Sequence, residues 1–293
     1  MKITILVDNN TFIDQYYYGE PAVSFYIETD GQKILFDTGY SEIILANARK
    51  MGIDLKQVTH IVLSHGHNDH TNGLKVLQEN VGLANRKLIA HPDCLAPKYY
   101  EQKSAVENEA YHERSMQGAA PEEYTGEYIG APYSETEIQE WADYVPCRDT
   151  YHITDKLIFL GEIPRTNRFE NQKPIGKCEK DGMLRDDYLM DDTALVYQTA
   201  EGIFVITGCS HSGICNIIAY AKDVCREERI VGVLGGFHLF EDDEQLQKTI
   251  DFLQSCNIQK LYPCHCVSLL ARAKMMEKLP VVETGVGMVL EVE

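Results

Sequence analysis

The 293-residue sequence predicts an α/β fold built from two sheet-and-helix halves whose loops meet at one edge. Two observations predict it: strand and helix signals alternate along the chain, and the layout of the first half returns in the second. A third places chemistry at that edge. Three of the ten histidines and one aspartate fall within residues 65–70, where a strand runs out.

The elements follow in order. MKITILVDNN (1–10) reads as a first strand, because its apolar run is cut off by Asp8 and is too short for a signal-peptide core. AVSFYIETDGQKILFDTG (22–39) reads as two strands joined by a hairpin turn at Asp30-Gly31. SEIILANARKMG (41–52) is a helix capped at Ser41 and stopped at Gly52. The buried strand VTHIVLS (58–64) then runs directly into the histidines, a helix begins near Thr71, and the strand RKLIAHPD (86–93) closes the half.

Residues 95 to about 150 differ in composition, being rich in Tyr, Glu, Gly and Pro, and read as an insertion or lid within a single domain spanning 1–293. The one helix signal there, SETEIQEWADY, carries a capping box at Ser134 and Glu137. The second half repeats the first: a hairpin in TALVYQTAEGIFVITG (193–208), a helix in GICNIIAYAKDVC (213–225), the strand RIVGVLGGFH (229–238), the helix DDEQLQKTIDFLQS (242–255) and the strand IQKLYPCH (258–265). Laid over the first half, Thr207-Gly208-Cys209 falls near Asp37-Thr38-Gly39. His238 falls near His65 and His67, and His265 near His91. These are loops at the carboxyl ends of strands, where open α/β sheets place ligands.

Composition narrows the function. A net charge of −18 argues against a nucleic-acid surface, which needs clustered cations. It does not exclude an anionic small molecule, since a metal reverses the local field. No apolar run reaches the length of a membrane helix. Nine cysteines, an odd number in a chain of this size, read as reduced thiols, and the protein is expected in the cytoplasm.

The cluster itself has metal-binding logic. Imidazole and carboxylate are the ligands that suit zinc, iron and manganese. On an extended loop His65 and His67 point to one side and can grip one ion, while Asp69 and His70 lie beyond and can hold a second. Two ions about 3.5–4 Å apart are a known hydrolytic arrangement.

His65-Gly66-His67-Asn68-Asp69-His70 resembles the HxHxDH signature of the metallo-β-lactamase fold superfamily, and the likeness extends to ILFDTG, VITG and the late YPCH. The resemblance implies a four-layer αββα sandwich with a dinuclear site at its edge. It implies two divalent metal ions, zinc first with manganese or iron as alternatives, that activate a bridging hydroxide against an ester, amide or phosphate of a small molecule. Asp69 would orient that nucleophile, and His265 would complete the second ion's ligands. Asp37 would orient the metal-binding loop. Cys209 stands where most members carry a bridging aspartate, and reads equally as a metal ligand or a buried thiol.

The chain departs from the pattern at one place. The histidine expected before DDTALV for the first ion is missing from FLGEIPR, so His211 is the preferred substitute, with His238 and Glu162 as rivals. His238 is otherwise a candidate for substrate contact or proton donation. Cys264 and Cys266 read as packing, and Arg165 and Arg168 as possible anion contacts.

GEIPRTNRFE, DDTALV, TGCSHSGICN and GGFHL resemble a narrower group that includes synthases joining a dihydropterin to an aminobenzene ribofuranosyl phosphate. A condensing transferase on the same site is therefore the alternative to a hydrolase. A di-iron oxidoreductase is disfavoured by His67, where such members usually carry glutamate. A non-catalytic ligand-binding module is disfavoured by the complete signature.

Overall fold

The computed structural model describes residues 1–100, 126–170 and 173–293. A seven-stranded sheet takes the order Val289–Glu291, Lys2–Val7, Ser24–Thr29, Gln32–Phe36, His60–Val62, Lys87–Ala90 and Asp143–Pro146. A six-stranded sheet faces it in the order Leu261–Pro263, Ile230–Gly235, Ile203–Thr207, Ala194–Gln198, Leu157–Phe159 and Tyr151–His152.

The repeat read from the sequence is present in the pairing. In the first sheet the hairpin Ser24–Thr29/Gln32–Phe36 is antiparallel, and His60–Val62 and Lys87–Ala90 then add in parallel. In the second sheet the hairpin Ala194–Gln198/Ile203–Thr207 is followed in parallel by Ile230–Gly235 and Leu261–Pro263. Parallel neighbours need crossovers, and helices such as Ile43–Lys50 and Ile214–Cys225 supply them.

Strand alternation builds the four layers. Phe25, Ile27, Ile34 and Phe36 point into one core with Phe204, Ile206, Leu234 and Tyr262 of the opposite sheet. The intervening Tyr26 and Leu35 pack outward with Ile44, Leu74 and Leu77 of the first half's helices. Ile203 and Val205 do the same with Ile217, Ile218 and Leu253 of the second. Helices therefore cover both outer faces, and the result is an αββα sandwich.

Residues 101–125, the middle of the stretch read as an insertion or lid, lie outside the described residues. On either side of them the chain is tied in. Helix Glu135–Trp141 carries the expected capping box, with Ser134 N donating to Glu137 Oε2 at 2.8 Å and Glu137 N donating to Ser134 Oγ at 3.3 Å. Asp143–Pro146 is the edge strand of the first sheet. A small third sheet, not anticipated from sequence, orders Met183–Asp186, Lys177–Lys180, Lys98–Tyr100 and Glu127–Tyr128. It abuts the histidine loop: Asn68 N donates to Ile129 O at 2.8 Å.

Candidate metal centre

The site lies where the ends of both parallel strand sets converge. Strand His60–Val62 delivers Ser64 and His65, after which the chain turns at His67 into the short helix Asn68–Thr71. Gly66 is required by close packing, since a Cβ there would stand 1.9 Å from Cys94 O. Ile203–Thr207 delivers Cys209 and His211, Ile230–Gly235 delivers His238, and Leu261–Pro263 delivers His265.

Two groups of donor atoms result, each within 4.8 Å of one another: His65, His67 and His211; and Asp69, His70 and His265. Cys209 joins them, grouping with His65 and His70 on one side and with His265 and Cys266 on the other. In the first group the ring centroids stand 4.7 to 4.9 Å apart and edge-on. His65 Nε2 lies 3.0 Å from His67 Nδ1. In the second, Asp69 Oδ2 lies 3.2 Å from His265 Nε2 and 3.6 Å from His70 Nε2, with Cys209 Sγ 3.4 Å from His70 Nε2.

The donor chemistry fits bound cations. His67 Nε2 and both ring nitrogens of His211 are buried with no hydrogen-bond partner among the described residues, a costly condition for polar atoms that lack a ligand. Burial first, then the charges of neighbouring histidines, pushes His65 and His211 well below the ordinary imidazole pKa. Burial pushes His67 down to about 3. All three are thus neutral and have the lone pairs a metal needs. Burial opposes charge on Asp69 as well, but His70 and His265 outweigh it and hold the carboxylate below its usual range.

A network behind the donors fixes their direction. Asp37, fully buried and in the left-handed region (φ 59°), accepts from His70 Nδ1, Ser64 N and Ser64 Oγ, each at 2.7 Å. His265 N donates to Asp8 Oδ1 at 2.8 Å, and its Nδ1 lies 3.1 Å from Asn9 Oδ1. Asp37, Ser210, His238 and His265 all have φ between 50° and 60°. Such backbone is costly for residues other than glycine and is concentrated at functional sites.

From sequence, Asp191 and Asp192 read as a turn or as residues lining the site, and Lys98 is not singled out; all three belong to this network. Asp191 Oδ2 accepts from Gly66 N at 2.8 Å, while its Oδ1 takes Lys98 Nζ at 3.0 Å. Lys98 is itself buried and also donates to Asp187 at 3.2 Å. Asp192 accepts from Ser212 N at 2.8 Å and Ser212 Oγ at 2.5 Å. The adjacent aspartates of DDTALV thus hold one histidine loop each. Their only sequence signal was two acids set directly before a buried strand. Asp8 gave a similar signal at the end of the first strand.

Other expectations are corrected. Glu162 is engaged by Arg148 and by His91 Nε2 at 3.3 Å, and lies in neither donor group. Its carboxylate is occupied elsewhere. His238 lies against His211 with ring centroids 4.4 Å apart and the planes tilted by 56°, and is not among the grouped donors. Arg165 donates to Leu189 O at 3.0 Å and to Tyr188 O, so it pins a loop. Cys264 is buried between the sheets as expected, but Cys266 joins the centre.

His211 and His238 also line a cavity of about 320 Å³, with Phe169, Ile175, Tyr188 and Leu189 among its walls and Lys173 on its lining. Burial first, then the charge of His265, pushes His238 down to about 4.

Comparison with known proteins agrees with this geometry. A family model described as "Metallo-beta-lactamase superfamily" matches residues 17–133. The chain is 33% identical over 293 residues to uncharacterized protein MJ0448 of Methanocaldococcus jannaschii, covering 98% of this chain and 99% of that one. It is 28% identical to 7,8-dihydropterin-6-methyl-4-(beta-D-ribofuranosyl)-aminobenzene-5'-phosphate synthase of the same organism, covering 95% and 91%. Among solved structures, Tm1679, described as a metal-dependent hydrolase of the beta-lactamase superfamily, superposes with a TM-score of 0.77. It is 27% identical, over 100% of this chain and 99% of that one. With its αββα sandwich and its histidine-rich edge, the chain belongs to the metallo-beta-lactamase superfamily.

Proposed function

We propose that the protein is a dinuclear metal-dependent hydrolase acting on a small molecule. The observation that carries this reading is the pair of donor groups joined through Cys209, with His211 nitrogens that have no hydrogen-bond partner among the described residues. His65, His67 and His211 would hold one ion, and Asp69, His70 and His265 the other, with zinc favoured by the imidazole and thiol content. Divalent cations held there supply Lewis acidity, making water acidic enough to give a nucleophile near neutral pH and polarising the bond that breaks.

The chain's own residues do the rest. Asp69 is partly exposed beside the buried His70 and His265, where its carboxylate would align a water molecule. His238, in the cavity wall beside His211, would contact the substrate or exchange a proton with it, and with its pKa pushed down to about 4 it would enter the reaction as the neutral imidazole. The apolar part of the cavity wall suits a compact substrate, and Lys173 on its lining favours a negative group on it. All nine cysteines are free thiols. No helix among the described residues is long and apolar enough to cross a membrane.

The test is to assay ester, lactone, amide and phosphodiester substrates with zinc or manganese added, alongside His67→Ala. Metal-dependent turnover that vanishes in the variant supports the proposal. No turnover across the panel, with metal bound, counts against it. The 28% identity to the dihydropterin synthase favours one other reading, a condensing transferase on the same residues. Incubation with a dihydropterin diphosphate and the aminobenzene ribofuranosyl phosphate separates the two, since only a transferase joins them.

A further inference from the structure

Cys266 is the side chain in the centre for which the proposed function has no use. Its neighbour Cys264 is fully buried between the sheets. Cys266, two residues on, is turned instead to the metal centre. Its Sγ, Cys209 Sγ and a ring nitrogen of His265 lie within 4.8 Å of one another. Two sulfurs on one zinc ion stand about 3.8 Å apart, given Zn–S bonds of about 2.3 Å in a tetrahedral shell, so this spacing suits a shared ion.

The fold makes room for both sulfurs. A Cβ on Gly236 would lie 2.4 Å from Cys266 Sγ and 3.2 Å from Cys209 Cα. Gly236 N donates to Gly208 O at 2.9 Å, and the Cys266 thiol lies 3.4 Å from Cys209 O. The three loops are therefore locked at the place where the thiols meet. A lone C-x-C lacks a partner in sequence, and the tertiary fold supplies one from residue 209.

We propose that Cys209 and Cys266, with His265, form a two-thiolate cation site at the edge of the centre, and that its sulfur face selects thiophilic cations over hard ones. Zinc, cobalt and cadmium would be preferred to manganese and magnesium, because thiolate is a soft ligand and hard cations favour oxygen. The assignment of Cys266 rests on the metal-centre reading above. Binding an ion there releases the thiol protons to solvent.

Cobalt substitution tests it. Metal-free protein loaded with Co(II) gives visible absorption from the ion itself and a near-ultraviolet sulfur-to-cobalt band from any thiolate ligand. Cys209→Ser and Cys266→Ser should each lower the near-ultraviolet band by roughly half, and the double variant should lose it, since only soft sulfur ligands give rise to it. Zinc-over-manganese preference in competition should fall at least about tenfold in Cys266→Ser. If that variant keeps the full band and the preference while visible absorption persists, the proposal is overturned. If the parent protein shows neither band, the metal-centre reading falls and takes this one with it. Should Cys266→Ser not fold, cadmium-113 resonance of the parent protein decides: a shift typical of two sulfurs supports the face, and one typical of a single sulfur overturns it.

Discussion

The carboxylate of Asp37 takes the Nδ1 proton of His70 at 2.7 Å, and the same carboxylate holds Ser64 N and Oγ. His70 is thereby fixed with Nε2 free to face Asp69 and Cys209. Burial alone would discharge His70, but Asp69 and Asp37 outweigh it and raise its pKa above the ordinary value. Asp37 thus sets which His70 nitrogen is turned toward Asp69 and Cys209.

Asp37→Asn should keep the turn but weaken that orientation. Metal affinity is expected to fall about 10- to 100-fold, the usual cost of losing a group that orients a ligand. Titration with zinc against a chromophoric chelator measures it. An unchanged affinity would show that Asp37 matters only to the turn.

The rings of His211 and His238 touch, with centroids 4.4 Å apart, yet the two residues should behave differently. His211→Ala removes a donor and should cost about one equivalent of metal of the two a dinuclear site holds, read by elemental analysis. His238→Ala should retain its metal and lose turnover, by about 100-fold or more if the imidazole moves a proton. Metal loss in His238→Ala but not in His211→Ala would reverse these roles.

Lys98 lies buried between Asp187 and Asp191 beneath the histidine loop. Lys98→Met leaves two buried carboxylates facing each other without a cation. It should cost about 3–5 kcal/mol of stability by urea unfolding. A loss under about 1 kcal/mol, the worth of a surface pair, would mean that the aspartates find another partner or take up a proton.

His60 supplies a pH signature away from the centre. Burial first, then the Lys87 charge, lowers its pKa below 6.5. The unfolded chain therefore binds the extra proton first as pH falls through 6.5, so stability drops on the acid side. In metal-free protein, His60→Gln should flatten that part of the profile. Thermal melts at several pH values between about 5 and 7.5 check it, and an identical slope in both proteins would count against this account.

Much of the fold was legible because its signals are local. Asp30-Gly31 specifies a hairpin turn, and the short apolar runs in SFYIET and IFVIT specify strands buried on both faces. His65, His67, Asp69 and His70 could be read as metal donors because six residues of one loop carry them all. His211 emerged by asking which histidine could replace the one missing from FLGEIPR.

Glu162, Asp191, Asp192 and Cys266 show where that legibility ended. Glu162 was a plausible donor until His91 and Arg148 were found to hold it. Asp191 read either as a turn residue or as one lining the site, and its partners Gly66 and Lys98 are 125 and 93 positions away. Cys266 looked like packing until Cys209 stood beside it.

The sequence by itself determined the elements, their repeat, and half of the metal centre, because each depends on residues close together along the chain. Only the tertiary structure decided which distant groups complete the centre, which carboxylates hold its loops, and which way Cys266 turns. Those choices depend on distances between strand ends, which are set by the packing of two sheets across a shared core and not by any local propensity.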